Sequence, residues 1–294
     1  MDKDNEKIID GKVSRRDFTA LSVAAGLTVT TGAAHAAMAV TESDVTIKTP
    51  DGVCDAAFIR PTSGKHPAVL VWTDIFGLRP SMRDIGKRLA AEGYSVLVPN
   101  PFYRTQKAPV IEDASKFDFA APADQAKMKL WTTPINEAGA IERDAAAYIA
   151  FLDAQKEVDT AKKVGTQGYC MGGPLVFKTS AAINNRVGAG ATFHGGGLVT
   201  DKPDSPHLLI AKMKTHMLCA IAASDDTKQP DAKDKLKEAF ASAKIPAEVE
   251  VYAGTQHGWC VKDMPLQAGK PIYNQPDADR AWGRLLALYK TSLA

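Results

Sequence analysis

Two periods alternate along this chain. Ala68-Val69-Leu70-Val71-Trp72 is an unbroken apolar run, and Tyr94-Ser95-Val96-Leu97-Val98 is nearly one. Short runs of this kind predict strands buried on both faces of a parallel sheet. Between them Met82, Ile85, Leu89 and Ala90 recur at helical spacing, and Gly93 marks the stop. Alternating segments from Val45 to Ile59, turning at Asp51-Gly52, predict a hairpin before the first buried strand. Residues 101–122 are polar, rich in proline and unpatterned, and predict a loop over one edge.

The second half repeats the alternation. Ile141, Ala145, Tyr148, Ile149 and Leu152 form one stripe of a long helix. Strands follow around residues 164–169, 189–193, 217–222 and 249–252. Helices between and after them carry Leu236, Ala239, Phe240 and Ala243, then Trp282, Leu285, Leu286 and Tyr289. Strands that alternate with amphipathic helices predict an α/β fold, a doubly wound, mostly parallel sheet with helices on both faces. Its ligands are expected beyond the C-terminal ends of the strands.

The segments at those strand ends carry the candidate chemistry. Gly168-Tyr169-Cys170-Met171-Gly172 reads G-x-C-x-G, the nucleophile elbow with sulfur in place of the usual serine oxygen. The following helix would aim free N–H groups and a positive dipole end at the sulfur, favouring thiolate. Asp74, the Asp225/Asp226 pair and His257 end other strands. Nucleophile, acid, histidine is the chain order of an α/β-hydrolase triad. His257 would exchange the thiol proton, and an aspartate would fix its tautomer. Of the two aspartates Asp226 is preferred, because Pro230 lies four residues on, a spacing common after the acid in hydrolases of this shape. His194 also ends a strand and is a candidate to line the pocket, although Gly195-Gly196-Gly197 explains the turn without it.

Composition narrows the setting. The chain has 294 residues, 45% apolar and 24% charged, with a net charge of +2. Neither nucleic acid nor an anionic membrane is implied by that balance. At the N-terminus Arg15-Arg16 precedes a weakly apolar stretch closed by Ala34-His35-Ala36, the order of parts in a twin-arginine export signal. The expectation is a signal peptide at 1–36, read by the twin-arginine export machinery, and a single α/β-hydrolase domain at 37–294 in the periplasm. The stretch is too short, and too rich in Thr and Gly, for a stable membrane span. Of the remaining cysteines, Cys54 and Cys219 fall in apolar runs and read as buried thiols, while spacing leaves any pairing with Cys260 open.

From about Val45 to the C-terminus the chain resembles the dienelactone hydrolases (carboxymethylenebutenolidases). The resemblance is carried by Thr73-Asp74-Ile75-Phe76-Gly77-Leu78, Met82-Arg83, Gly93-Tyr94, Leu130-Trp131, Gly168-Tyr169-Cys170-Met171-Gly172-Gly173, the Asp226 region and Gly254-Thr255-Gln256-His257-Gly258. It implies a Cys–Asp–His triad of Cys170, Asp226 and His257 that hydrolyses a small-molecule lactone or ester through a thioester, with neither metal nor organic cofactor. It also implies an oxyanion hole from the backbone N–H groups of Met171 and Ile75. Well-studied members carry Glu at Asp74, a carboxylate that interacts with the nucleophile before substrate arrives. Two arginines of those members grip the substrate carboxylate. This chain has Val261 next to Lys262 for one, and Asp124 or, three residues further on, Lys127 for the other; a lysine lacks the planar fork of arginine. Trp259 is a further candidate to touch substrate. The competing reading is a non-catalytic relative that binds a small ligand in the same cleft.

Overall fold

The predicted hairpin forms from β1 (Val40–Thr49) and β2 (Gly52–Pro61), paired antiparallel across a turn at Pro50-Asp51. The computed structural model describes residues 37–293, so the export signal expected at 1–36 lies outside the described residues. The apolar runs become β3 (Ala68–Trp72) and β4 (Ser95–Pro99), in which every residue is buried. They are followed by β5 (Val164–Tyr169), β6 (Val187–Phe193), β7 (His216–Ala222) and β8 (Ala247–Tyr252). One sheet results, in the order β1-β2-β4-β3-β5-β6-β7-β8. Only β1–β2 and β2–β4 pair antiparallel, and the rest are parallel.

After β3 the chain moves to one side to make β4, then crosses to the other side for β5. The C-terminal ends of β3 and β5 therefore flank the point where the winding reverses, the place where such sheets bind ligands. The Asp74 loop leaves β3 there and Cys170 leaves β5.

Eight α-helices are present among the described residues: α1 (Pro80–Ala91), α2 (Pro122–Ile135), α3 (Ala140–Asp153), α4 (Gly172–Ala182), the single turn α5 (Pro206–Leu209), α6 (Ala223–Lys228), α7 (Ala232–Ser242) and α8 (Gln275–Ser292). Side-chain alternation along the strands shows which face each covers. Trp72 donates its indole N–H to Thr179 of α4 and lies against Tyr148 of α3, so α3 and α4 share one face. Val69, three residues earlier, points the opposite way and pairs in register with Gly165, where a Cβ would touch the ring of Tyr289 in α8. Arg88 of α1 stacks over Trp282 of α8, which brings α1 to that second face. The expected two-faced covering of the sheet is what forms.

Two elements depart from the pattern-based reading. Residues 101–121 are turns with one 3-10 turn at Ala114–Lys116, as the lack of pattern predicts, but α2 follows at Pro122 where no helix was predicted. Only Trp131 and Ile135 of α2 are buried while Leu130 faces out, so the helix carries almost no apolar stripe to detect. The second is α6, a short helix directly after β7 that holds both candidate aspartates, and it decides which of them reaches the histidine.

Candidate active site

The elbow is built on a contact between two pieces of backbone. Where β5 runs into α4, a Cβ on Gly168 would sit 2.1 Å from the carbonyl oxygen of Gly172, and one on Gly172 would sit 2.6 Å from that of Trp72. No side chain survives such distances, so both positions demand glycine. The turn leaves Cys170 with φ 51°, in the left-handed region, half-buried beyond the end of the sheet. Its N–H donates to Phe193 O (3.1 Å), and Gly173 N–H returns to Cys170 O (3.0 Å). The N–H groups of Met171 and Ile75, the two expected oxyanion donors, meet no acceptor among the described residues.

His257 sits on the loop after β8. Its backbone N–H donates to Ser224 Oγ (2.9 Å), and its Nδ1 lies 2.7 Å from Asp225 Oδ2. With Nδ1 committed to a carboxylate, Nε2 is left for the reacting side. Burial pulls the pKa of His257 down, but Asp225 and the nearby sulfur of Cys170 outweigh it and push the ring up to about 10. No hydrogen bond of good geometry joins Sγ to the imidazole in this arrangement.

The acid differs from the sequence expectation. Asp226 turns away from His257 and takes Lys233 Nζ at 2.8 Å, while its neighbour Asp225 reaches the ring. The reason is α6: adjacent helical residues point roughly 100° apart, so only one of the pair can face the histidine loop. A cavity of about 340 Å³ opens beside His257 and Asp225, lined on its other sides by Gly195, Gly197, Leu198 and Leu236 and edged by Lys228 and Lys233.

Asp74 has no solvent exposure and is fully engaged. Arg79 grips it with two N–H bonds (2.6 and 2.9 Å), and Phe76 N–H adds a third at 3.0 Å. The same guanidinium holds Asp263 through Nε (2.8 Å) and Nη2 (2.7 Å). Arg79, 184 residues from Asp263 in the chain, thus fastens the Ile75 loop to the segment that follows His257. No hydrogen bond joins Asp74 to Cys170. With both carboxylate oxygens taken up by the planar fork of Arg79 and by Phe76 N–H, the nucleophile-facing role expected of Asp74 has no contact supporting it here.

The other candidates scatter. Lys127 is paired with Asp124 on the exposed side of α2. Lys262 lies by Tyr273 and lines a smaller cavity of about 110 Å³ with Arg88 and Cys260, not the one beside His257. Trp259 is wholly buried and stacked on Tyr252 at 4.7 Å, a packing residue under the histidine loop. His194 is drawn in: its ring stands edge-on to His257 with centroids 4.9 Å apart, and burial first, then His257, holds it well below the usual histidine range. Arg79 and Asp263 were not singled out from sequence, because nothing local to either position signals a partner so distant. All four cysteines are free thiols, with Cys54 and Cys219 buried as expected. Among the described residues no group of three or more His, Cys, Asp or Glu side chains is arranged to hold a metal ion.

Against known proteins, residues 54–293 match the model of the dienelactone hydrolase family. The carboxymethylenebutenolidase of Rhodococcus opacus is 25% identical over 240 residues, 79% of this chain and 83% of that protein. Among solved structures, a dienelactone hydrolase-like promiscuous phosphotriesterase from metagenomic libraries superposes with a TM-score of 0.70 at 21% identity, covering 87% of this chain and all of that one. An acetyl xylan esterase from Paenibacillus sp. R4 gives 0.57 at 15%, covering 84% of each chain. At those identities the two structures speak to the fold alone.

Two outcomes follow from this geometry. Arg79→Met strands two carboxylates, one of them fully buried, and is expected to lower stability by about 3–5 kcal/mol. Denaturant titration measures it, and a loss below about 1 kcal/mol would contradict the clamp. The folded-state pKa of His257 lies above its ordinary value of about 6.5. Its ion pairing therefore stabilises the fold fully below that pH and is lost as pH rises through about 10. NMR titration of the ring should show a midpoint well above the ordinary value in the unaltered protein. It should fall in Asp225→Asn and hold in Asp226→Asn; the reverse order would restore Asp226.

Proposed function

The chain belongs to the dienelactone hydrolase family, and from that premise we propose that it cleaves an ester or lactone of a small molecule through a thioester on Cys170. The observation that carries this reading is the 2.7 Å contact of His257 Nδ1 with Asp225, on a histidine whose ionisation responds to the sulfur of Cys170.

In the proposed sequence, the Cys170 sulfur attacks the acyl carbon, and its proton resides on His257 Nε2. Charge that develops on the carbonyl oxygen is taken up by the N–H groups of Met171 and Ile75. Preorganised donors of this type contribute about 3–4 kcal/mol each to the transition state. The C–O bond breaks as His257 protonates the departing oxygen. Water then attacks the thioester carbon, passes a proton to His257, and the C–S bond breaks to release the acid. Asp225 keeps Nδ1 protonated through both halves. General acid–base transfer of this kind is worth about 10²–10⁴ in rate.

Arg79 and Asp263 keep the Ile75 loop and the histidine loop in one frame, and that is their contribution. Lys127 and Lys262 lie away from the cavity beside His257, so neither is assigned a grip on a substrate carboxylate. The twin-arginine reading of residues 1–36 would deliver the folded enzyme to the periplasm.

Incubation with an activated short-chain ester tests the chemistry. Cys170→Ala is expected to abolish turnover, and intact mass measurement should find an acyl adduct on the unaltered protein that the variant lacks. An unaltered protein that binds ester but neither turns it over nor carries an adduct would be a ligand-binding relative.

A further inference from the structure

Two residues leave neighbouring strands in the same strained way. Tyr169 and Phe193 pair in register at the ends of β5 and β6, and the next residue of each strand, Cys170 and His194, has positive φ (51° and 40°). For residues that carry a side chain this backbone region is sparsely used and concentrates at functional sites. The acylation half of the proposed reaction explains Cys170 and makes no use of His194.

Yet His194 is placed as a working group would be. Its ring has no solvent exposure, and neither nitrogen has a hydrogen-bond partner among the described residues. It stands against the ring of His257, and the residues after it, Gly195 to Gly197, form part of the wall of the cavity that also touches Asp225 and His257. A neutral imidazole offers one donor and one acceptor. The group that suits such a ring beside a general base is a small oxygen species able to accept one hydrogen bond and donate another. The acyl oxygen is assigned to the N–H groups of Met171 and Ile75, so the oxygen left to place is that of the attacking water.

We infer that His194 seats this water against His257 in the deacylation half of the reaction. The inference rests on the thioester route proposed above. With the acyl group on Sγ, water held by His194 attacks the thioester carbon. The C–O bond forms, one water proton passes to His257 Nε2, the C–S bond breaks with its electron pair left on the sulfur, and the carboxylic acid leaves. By symmetry of the two halves the departing alkoxide occupies the same place. An activated p-nitrophenyl ester, whose leaving group needs no protonation, therefore separates the two: its acylation should ignore His194 and its deacylation should not.

Stopped-flow hydrolysis of p-nitrophenyl acetate, with intact mass measurement, reads both steps. His194→Phe keeps the ring volume and removes both nitrogens. It is expected to keep the rate of the first p-nitrophenolate release while steady-state turnover falls about 100-fold, the typical cost of losing one positioning contact, with acetyl accumulating on Cys170. His194→Asn tolerates the left-handed backbone and restores a donor and an acceptor. There the steady state should fall by only about tenfold, again with the first release unchanged. If the phenylalanine variant does not fold, the asparagine variant carries the same comparison. Acylation and deacylation that fall together, or a steady state unchanged in whichever variants fold, would overturn the assignment. An unaltered protein with no p-nitrophenolate release at all would instead remove the thioester reading, and this inference with it.

Discussion

The contact between Gly168 and the carbonyl of Gly172 governs the rest of this structure. Because β5 and α4 meet backbone to backbone, the connecting residue is forced into positive φ and the Cys170 sulfur is lifted beyond the sheet. The same turn starts α4 at Gly172, two residues after Cys170, so the positive end of the helix dipole begins beside that residue. Had either glycine carried a side chain, strand and helix would separate and the sulfur would lose its place relative to His257. The site is therefore as precise as a packing contact between rigid elements, rather than as loose as the loops that complete it.

Those loops are held by charge. The Ile75 loop and the histidine loop come from opposite ends of the domain sequence, and one buried guanidinium binds them together through Asp74 and Asp263. Every N–H of Arg79 has an acceptor, two of them bidentate carboxylates, with Gly77 O taking the remaining bond. Burying such a group is costly unless its partners are complete, and here they are. A third carboxylate, Asp225, holds His257. The two arrangements differ in consequence: the first fixes positions, and the second also changes the ionisation of His257.

The sheet, its doubly wound form and the strand ends that carry the candidate site were readable from residue pattern because burial imposes it. Ala68–Trp72 is apolar throughout since both of its faces are covered, and α1 repeats at helical spacing since one of its faces is covered. Where burial is slight the pattern disappears. Helix α2 hides only Trp131 and Ile135, and no periodicity announces it. The same holds at the site. Cys170 and His257 were legible because the turn around each needs particular neighbours, while Lys127, Lys262 and Trp259 were drawn from likeness and lie away from the cavity beside His257.

What the sequence determined by itself was the set of elements, their order, the position of the sulfur and the loop that carries the imidazole. All of these are written in local glycines and in hydrophobic spacing. Only the tertiary structure decided between Asp225 and Asp226, enclosed Asp74 between Arg79 and its own loop, and set His194 against His257. The reason is that each of these is a matter of the direction in which side chains leave their elements, which spacing along the chain does not specify. A short helix after β7 rotates one aspartate toward the histidine and its neighbour toward Lys233, and no spacing rule along a single segment carries that angle.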